Sequence, residues 1–525
     1  MNMQRRQRQP NETATLVMPL LILGMTLIAS DRYITYIDDE TLILGAATQP
    51  VRATLSLFWS GQGQHEHPPL FDILLHFWLR LTGGAFEYLR LPSIVFFLVG
   101  LFLLACAAKR LGGPSSALAV VWLGVLWPFG FHYGRLAAWY SFSFFLVAAL
   151  TLAYLKYLEN PTTERWAWFC LLGVALFWTN YFGWAVLGCF AIDQFLRHRA
   201  CERTASRAVV LQTLAVWCVS FLPLLRAFRT ELGMGLNFHV RPLAILANAA
   251  FSFYSLFVSE SVAPWFWYLS IPAGLAVLAC AVLVAISLPR NARRFLFYGV
   301  LLFAVMAVSG LLVTKRLLLV APWIVLAIGI AIAESKPLYA RIGLPVALLI
   351  IGGIGWYGIY TRRYYSAPRF IEPWPKIAQE TVDKIHGGAT VIADNPSFLF
   401  YLTYTVPAPQ GGSPWKFSGL LPEQVLDPHV KFPEQWLAAG HPVSPAMVWI
   451  RGVGGARTME PMDAAADQLG RSCGAQTSRL TMRDSGYEWK KRIFPEREEL
   501  QWRIEVRDYD CSSTGSQQIF QFPIR

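Results

Sequence analysis

Charge is the first thing that this 525-residue chain lacks. Asp, Glu, Lys and Arg make up only 15% of it and hydrophobic residues 55%, whereas a soluble domain is about one quarter charged. This composition excludes an ordinary soluble enzyme and requires a membrane-embedded body. Acids are scarcer than bases, 33 against 45, which leaves a net charge of +12. Much of the excess lies in short loops between apolar runs, where it sets orientation and meets lipid phosphate. No aromatic–basic module accompanies it, so nucleic acid is excluded as a partner. Cysteine is sparse as well: the chain has eight, and none has Cys-x-x-Cys spacing, which leaves zinc and dithiol redox motifs unsupported. Cys106, Cys170, Cys189, Cys218 and Cys280 fall inside apolar runs and Cys201 in a basic loop. Cys473 and Cys511 lie in the polar C-terminal part. They are either a disulfide, if that part is extracytoplasmic, or two buried thiols.

What the chain does have is a succession of apolar runs. After a basic start with Arg5, Arg6 and Arg8, the run 16–29 reads as an uncleaved anchor with a cytoplasmic N-terminus. Further spans are expected at 90–108, 116–131, 137–158, 166–180, 182–196, 208–225, 264–288, 295–312, 317–333 and 342–360. The run 69–81 is too short to cross, since about 20 residues are needed. Lys109-Arg110, the basic loop 197–207 and Arg290, Arg293 and Arg294 then face the cytoplasm. About eleven spans result, with 35–72, 132–135, 179–183, 226–263 and everything beyond 361 on the outer side. The segment 41–59 reads as one amphipathic interfacial helix. From residue 364 the pattern changes to strands at 389–394, 447–451 and 502–506 and helices at 374–385 and 462–469. The expected division is a helical membrane module over 1–363 and a soluble α/β domain over 364–525.

The polar loop 36–72 opens with Asp38-Asp39-Glu40 and closes with His65-Glu66-His67-Pro68-Pro69-Leu70. Acids do little to set orientation, and ionisable groups clustered at a membrane surface mark function. The plain alternative is that the acids cap a helix starting near Thr41. Lys315-Arg316 lies on the outer side against the orientation rule, where it either binds phosphate or reaches to headgroups. His239 and Arg241, in the loop 226–263, and Tyr133 and Arg135, at a hairpin tip, complete the candidate substrate contacts. A carboxylate facing cations at the lipid surface suits sugar transfer from a lipid phosphate. The cations stabilise the departing phosphate and the acid deprotonates the acceptor. His65 and His67 could chelate a metal, but no third ligand is evident, so none is assigned.

The order of Asp39-Glu40, Glu66-His67-Pro68-Pro69-Leu70 and Leu89-Arg90-Leu91-Pro92-Ser93 resembles the family 39-type glycosyltransferases of the C superfamily (GT-C). Tyr133-Gly134-Arg135, Tyr140-Ser141, Thr179-Asn180-Tyr181 and Lys315-Arg316-Leu317-Leu318 continue it. Within that superfamily the chain is most similar to the bacterial branch that includes the lipid A aminoarabinose transferase. The resemblance implies an inner-membrane enzyme, a polyprenyl-phosphate sugar as donor, and inversion at the anomeric carbon. The acceptor would be an envelope glycan, lipid or protein. It also implies Asp39 as general base, with Asp38 and Glu40 the rivals within the run. Glu66, His67, Lys315 and Arg316 would contact substrate or phosphate. One departure stands out. Many relatives carry Glu-Ala-Arg-Met-Tyr where this chain has Leu136-Ala137-Ala138-Trp139-Tyr140. That keeps an inactive scaffold open as an alternative. A flippase for lipid-linked sugars is the other, although no internal repeat supports one.

Overall fold

The structure, a computed structural model, describes residues 12–31, 34–60, 67–84, 88–199, 207–229, 242–309, 312–393, 395–405, 430–431, 436, 444–453, 466–467, 469–471, 473, 475–488, 492 and 502–512. His65, Glu66, Cys201, His239 and Arg241 lie outside them, as does most of the helix expected at 462–469. The described residues divide into two compact units. One falls within Met1–Asp31 and Gln49–Thr361, the other within Arg32–Thr48 and Arg362–Arg525. The stretch 35–72, read from sequence as one loop, is therefore shared between them.

Up to Thr361 the helices are α1 (Glu12–Ala29), α2 (Asp38–Thr48), α3 (Val51–Ser60), α4 (Leu70–Leu81), α5 (Leu91–Leu126), α6 (Pro128–Tyr133), α7 (Trp139–Glu159), α8 (Thr163–Phe177), α9 (Gly183–Arg199), α10 (Arg207–Phe221), α11 (Pro242–Val258), α12 (Trp267–Ser287), α13 (Arg290–Val308), α14 (Ala321–Glu334) and α15 (Leu338–Thr361). All but α2 belong to the first unit. Its centre is α14, apolar on every side, with each side chain from Ala321 to Ala331 buried. α5 and α7 pack against it closely because small residues meet large ones. A Cβ on Gly329 would come within 2.4 Å of Val120. Trp323 Nε1 donates to Thr151 Oγ1 of α7 at 3.0 Å. On the outside the large side chains stay exposed, Leu349 at 68% and Leu275 at 64%, as suits a surface in contact with lipid.

α5 is not straight. Gly112 and Gly113 leave helical geometry, and Gly113 has a φ of 80°, a conformation that other residues resist. A Cβ on Gly124 would strike Leu101. In one straight helix those positions would stand about 35 Å apart, so the halves lie side by side, as the separate runs 90–108 and 116–131 require. Among the described residues six helices are long and apolar enough to cross a membrane, with three shorter apolar ones beside them. This criterion does not return the expected eleven, because α5 holds two runs in one element and α1, α8, α9 and α14 are not among the six. Two other expectations are corrected. The helix expected at 41–59 breaks at Gln49-Pro50, where proline withdraws a donor and disfavours helix in the residue before it. The loop 226–263 contains α11, an apolar helix whose run is diluted by Asn248, Ser252 and Ser255.

Asp193 of α9 is the buried polar tie of this unit. Its Oδ2 accepts from Tyr154 at 2.5 Å and Arg197 Nε at 2.8 Å, and its Oδ1 from Tyr298 at 2.6 Å. Arg294 approaches at 3.4 Å. One carboxylate thereby joins α7, α9 and α13.

The second unit is a five-stranded sheet in the order β2-β1-β3-β5-β4, from β1 (Thr390–Ala393), β2 (Val430–Lys431), β3 (Ala446–Val453), β4 (Ala475–Arg483) and β5 (Arg503–Asp510). β1 runs parallel to β2 and β3, and β5 antiparallel to β3 and β4. α16 (Trp374–His386) buries Trp374, Ile377, Ala378, Thr381, Val382 and Ile385, one stripe at helical spacing. It ends where Gly388, at φ 87°, turns the chain into β1. α17 (Pro396–Thr405) follows β1, and α2 packs against it. Cys473 and Cys511 form a disulfide inside the core with Trp436, Trp449 and Tyr509.

Truncating Asp193 to alanine leaves Arg197 and Arg294 without their buried counter-charge and should cost about 3–5 kcal/mol. Thermal unfolding of the detergent-purified protein measures it; an unchanged midpoint would remove Asp193 from this role.

Candidate active site

The acids occupy the start of α2, in the second unit. Asp38 is the first helical residue, Asp39 is half-buried, and Glu40 is fully buried. The Glu40 carboxylate accepts from the Ile37 backbone N–H at 3.0 Å, while the Ile37 carbonyl accepts the first helical N–H groups. A Glu reaching back in this way is one half of a capping box. Glu40 thus fulfils the plain reading of the acid run, and Asp38 and Asp39 sit where a helix dipole favours negative charge.

The basic pair lies in the first unit, on the 3-10 turn Thr314–Leu319. Lys315 Nζ stands 5.9 Å from the Tyr140 ring centre and the Arg316 guanidinium 5.9 Å from that of Phe182. Tyr140 packs on Trp139 at 4.1 Å, and Trp139 on the half-buried His67 at 5.0 Å. Trp139 and Tyr140 are the first residues of α7, whose N-cap, Ala138, offers no side chain to its N–H groups. A helix N-terminus beside a lysine attracts an anion. The structure thus brings His67, Tyr140, Lys315 and the start of α7 into one corner.

Behind that corner lies a buried polar cluster. Glu260, only 6% exposed, accepts from the Tyr133 hydroxyl and, at 3.2 Å, from Thr314 Oγ1. Ser259, in the left-handed region at φ 65°, places its Oγ 2.6 Å from His132 Nδ1. Burial, with Arg135 nearby, holds the His132 imidazole well below its usual range and neutral. Tyr133 and Glu260 therefore fix the turn that carries Lys315. Arg135 is turned elsewhere: its Nε donates to Phe131 O at 3.0 Å, and its Nη1 to Ser30 Oγ at 3.0 Å and Leu27 O at 3.3 Å. It closes the C-terminus of α1, a favourable place for a cation.

Sequence reasoning singled out neither Glu260 nor Asp72. A lone acid within the apolar context Phe257-Val258-Ser259-Glu260-Ser261-Val262 was the signal available for the first. Asp72 lies on the buried face of α4, and burial pushes its carboxyl up to about 8. Among the described residues no three His, Cys, Asp or Glu side chains group as metal ligands.

An apolar cavity of about 300 Å³ also lies in the first unit, lined by Trp122, Leu126, Trp127, Phe257, Ile324 and Leu349 among others. Phe257 is three residues from Glu260, and Trp127 Nε1 donates to Leu256 O at 2.6 Å, tying this wall to the segment that enters the polar cluster.

No protein-family model matches the sequence, and no curated protein matches it. Solved structures do. ArnT from Cupriavidus metallidurans bound to undecaprenyl phosphate matches with a TM-score of 0.53 at 12% identity, over 96% of this chain and 100% of that one. The same protein in the apo state matches with a TM-score of 0.53 at 13% identity, over 96% and 99%. The arabinofuranosyltransferase AftD from Mycobacteria matches with a TM-score of 0.43 at 16% identity, over 83% of this chain and 35% of that one. The chain therefore has the fold of ArnT, which bears out at the level of fold the resemblance drawn from its motifs.

A carboxyl held protonated by burial stabilises the fold at low pH and ceases to do so as pH rises through its folded value. Between about pH 4 and the raised value of about 8, wild type should lose thermal stability faster than Asp72→Asn, which cannot ionise. Identical slopes for the two proteins would contradict a buried, protonated Asp72.

Proposed function

We propose that this multi-pass membrane protein is a glycosyltransferase that takes a sugar from a polyprenyl-phosphate donor and passes it to an envelope glycan, lipid or protein. The observation that carries the reading is the corner at the start of α7, where Lys315, with Arg316 next to it, stands 5.9 Å from the ring of Tyr140 in the helix's first turn. The fold supports it, because the ArnT structure of the same fold holds undecaprenyl phosphate. The apolar cavity supports it too: a prenyl chain stays in the bilayer, and this wall offers it a dry lining.

In the reaction, an acceptor hydroxyl or amine attacks the anomeric carbon from the face opposite the phosphate, and the bond from that carbon to the phosphate oxygen breaks. The configuration inverts. Charge grows on the departing lipid phosphate, which Lys315, Arg316 and the helix dipole stabilise. Asp39 takes the proton from the acceptor. Glu40, with an oxygen committed to the start of α2, is the weaker choice of base, and Asp38 remains the rival. Tyr133 and Glu260 hold the basic turn rather than touching sugar. The C-terminal unit is assigned to the extracytoplasmic side of a bacterial inner membrane, where a disulfide such as Cys473–Cys511 persists.

Replacing Asp39 with asparagine should lower transfer from a radiolabelled polyprenyl-phosphate sugar by a factor of about 10²–10⁴. Lys315→Ala should mainly weaken the donor, raising its KM. Asp39→Asn transferring at the wild-type rate would remove Asp39 as base. Wild type moving lipid-linked sugar across vesicles without transferring it would replace the enzyme with a flippase.

A further inference from the structure

The acids do not group with the membrane helices that surround them in sequence. Residues 32–48 belong instead to the unit formed by Arg362–Arg525. The attachment is made residue by residue just ahead of the acid run. Thr35 Oγ1 donates to the backbone carbonyl of Glu372 at 3.0 Å. The Tyr36 backbone N–H donates to the hydroxyl of Tyr401 at 2.7 Å. The Ile37 N–H goes to Glu40. The Tyr36 ring lies 4.8 Å from that of Phe400 and 6.3 Å from that of Tyr401. Glu372 is itself fixed, its carboxylate accepting from Trp374 Nε1 at 2.5 Å. Tyr36, Ile37, Thr41, Phe400 and Tyr401 are all buried.

A helix of 11 residues such as α2, with Gly45 in its middle, has little stability of its own in water. A general base has to be held to a fraction of an ångström, since a misplacement of about 1 Å can cost a hundredfold in rate. The rigidity that α2 lacks is present in α17, which leaves the parallel strand β1 and is capped where Asn395 Oδ1 accepts the Phe398 N–H at 3.2 Å.

We propose that the C-terminal domain is the carrier of the catalytic acid, with Tyr401 a positioning residue that sets Asp39 through the backbone of Tyr36 and Thr35 a second such residue acting through Glu372. The proposal rests on Asp39 being the base, and its test separates the two. A domain that only decorated the enzyme, or only bound acceptor, would affect KM or nothing. A domain that holds the base affects kcat.

The experiment uses the full chain in vesicles, with a polyprenyl-phosphate sugar as donor, and the variants Tyr401→Phe, Asp39→Asn and the pair together. Tyr401→Phe keeps the ring contacts and removes only the hydroxyl. It should lower kcat between about tenfold and a hundredfold, with KM for the donor within about twofold of wild type. Amide exchange should quicken over 36–41 and stay unchanged in β3 and β5. The double variant should be no slower than Asp39→Asn alone, because Tyr401 acts only through that carboxylate. Thr35→Val should resemble Tyr401→Phe, and Thr35→Ser, which retains the donor, should recover the rate. Asp39→Asn turning over like wild type would overturn the base and this proposal together. A slow Asp39→Asn with a wild-type Tyr401→Phe, or with losses that multiply in the double variant, would overturn the positioning role and leave the base standing.

Discussion

An ion taken into an apolar bundle must find a partner there, because the lipid around it offers none. That constraint shapes the helical unit. Arg90, 1% exposed, meets Asp31 at 2.8 Å and ties the start of α5 to the end of α1. Arg135 closes α1 from the other side, through Leu27 and Ser30. Asp193 gathers two tyrosines and two arginines from three helices. Glu260 takes Tyr133 and Thr314 and so fixes the turn that bears Lys315. The apolar residues fill the space between these ties, and the ties decide which helices are neighbours.

The same constraint separates ions held by the fold from those proposed to meet substrate. Arg135 is a candidate substrate contact by sequence; its Nε and Nη1 are directed at carbonyl and hydroxyl oxygens of Phe131, Leu27 and Ser30. Lys315 and Arg316 differ. They stand half-buried near aromatic rings, and Lys315 lies beside the start of α7, where the helix dipole adds to its positive charge. Such a place is suited to an anion that comes and goes. On the acid side, Glu40 serves α2, which frees the reading of Asp39 from the objection that every acid in the run is a cap.

Much of this was legible in the sequence. The membrane body, the C-terminal α/β domain and the fold followed from low charge, apolar runs and the order of short motifs. The sequence reading failed where one residue type has two meanings. Pro50 falls within an apparent amphipathic run over 41–59, yet one helix ends before it and another, in a different unit, starts after it. α11 hid behind Asn248, Ser252 and Ser255, polar residues that a hydropathy reading penalises. Pairing across long separations was beyond reach: nothing local in Tyr36 points to Tyr401, or in Glu260 to Tyr133. Cys473 and Cys511 could be proposed as a pair, but only the register of the domain brings them together.

In the proposed reaction a lipid-phosphate donor loses its sugar by a single displacement. The most direct measurement is the reaction of the purified full chain, in vesicles, with polyprenyl-phosphate sugars of defined anomeric configuration and with membrane acceptors. The product would be read by mass and by the configuration of the new linkage. One donor should yield free polyprenyl phosphate and a glycosylated acceptor in equal amounts, with the anomeric configuration inverted. Retained configuration, or release of free sugar without acceptor labelling, would contradict a base-assisted single displacement.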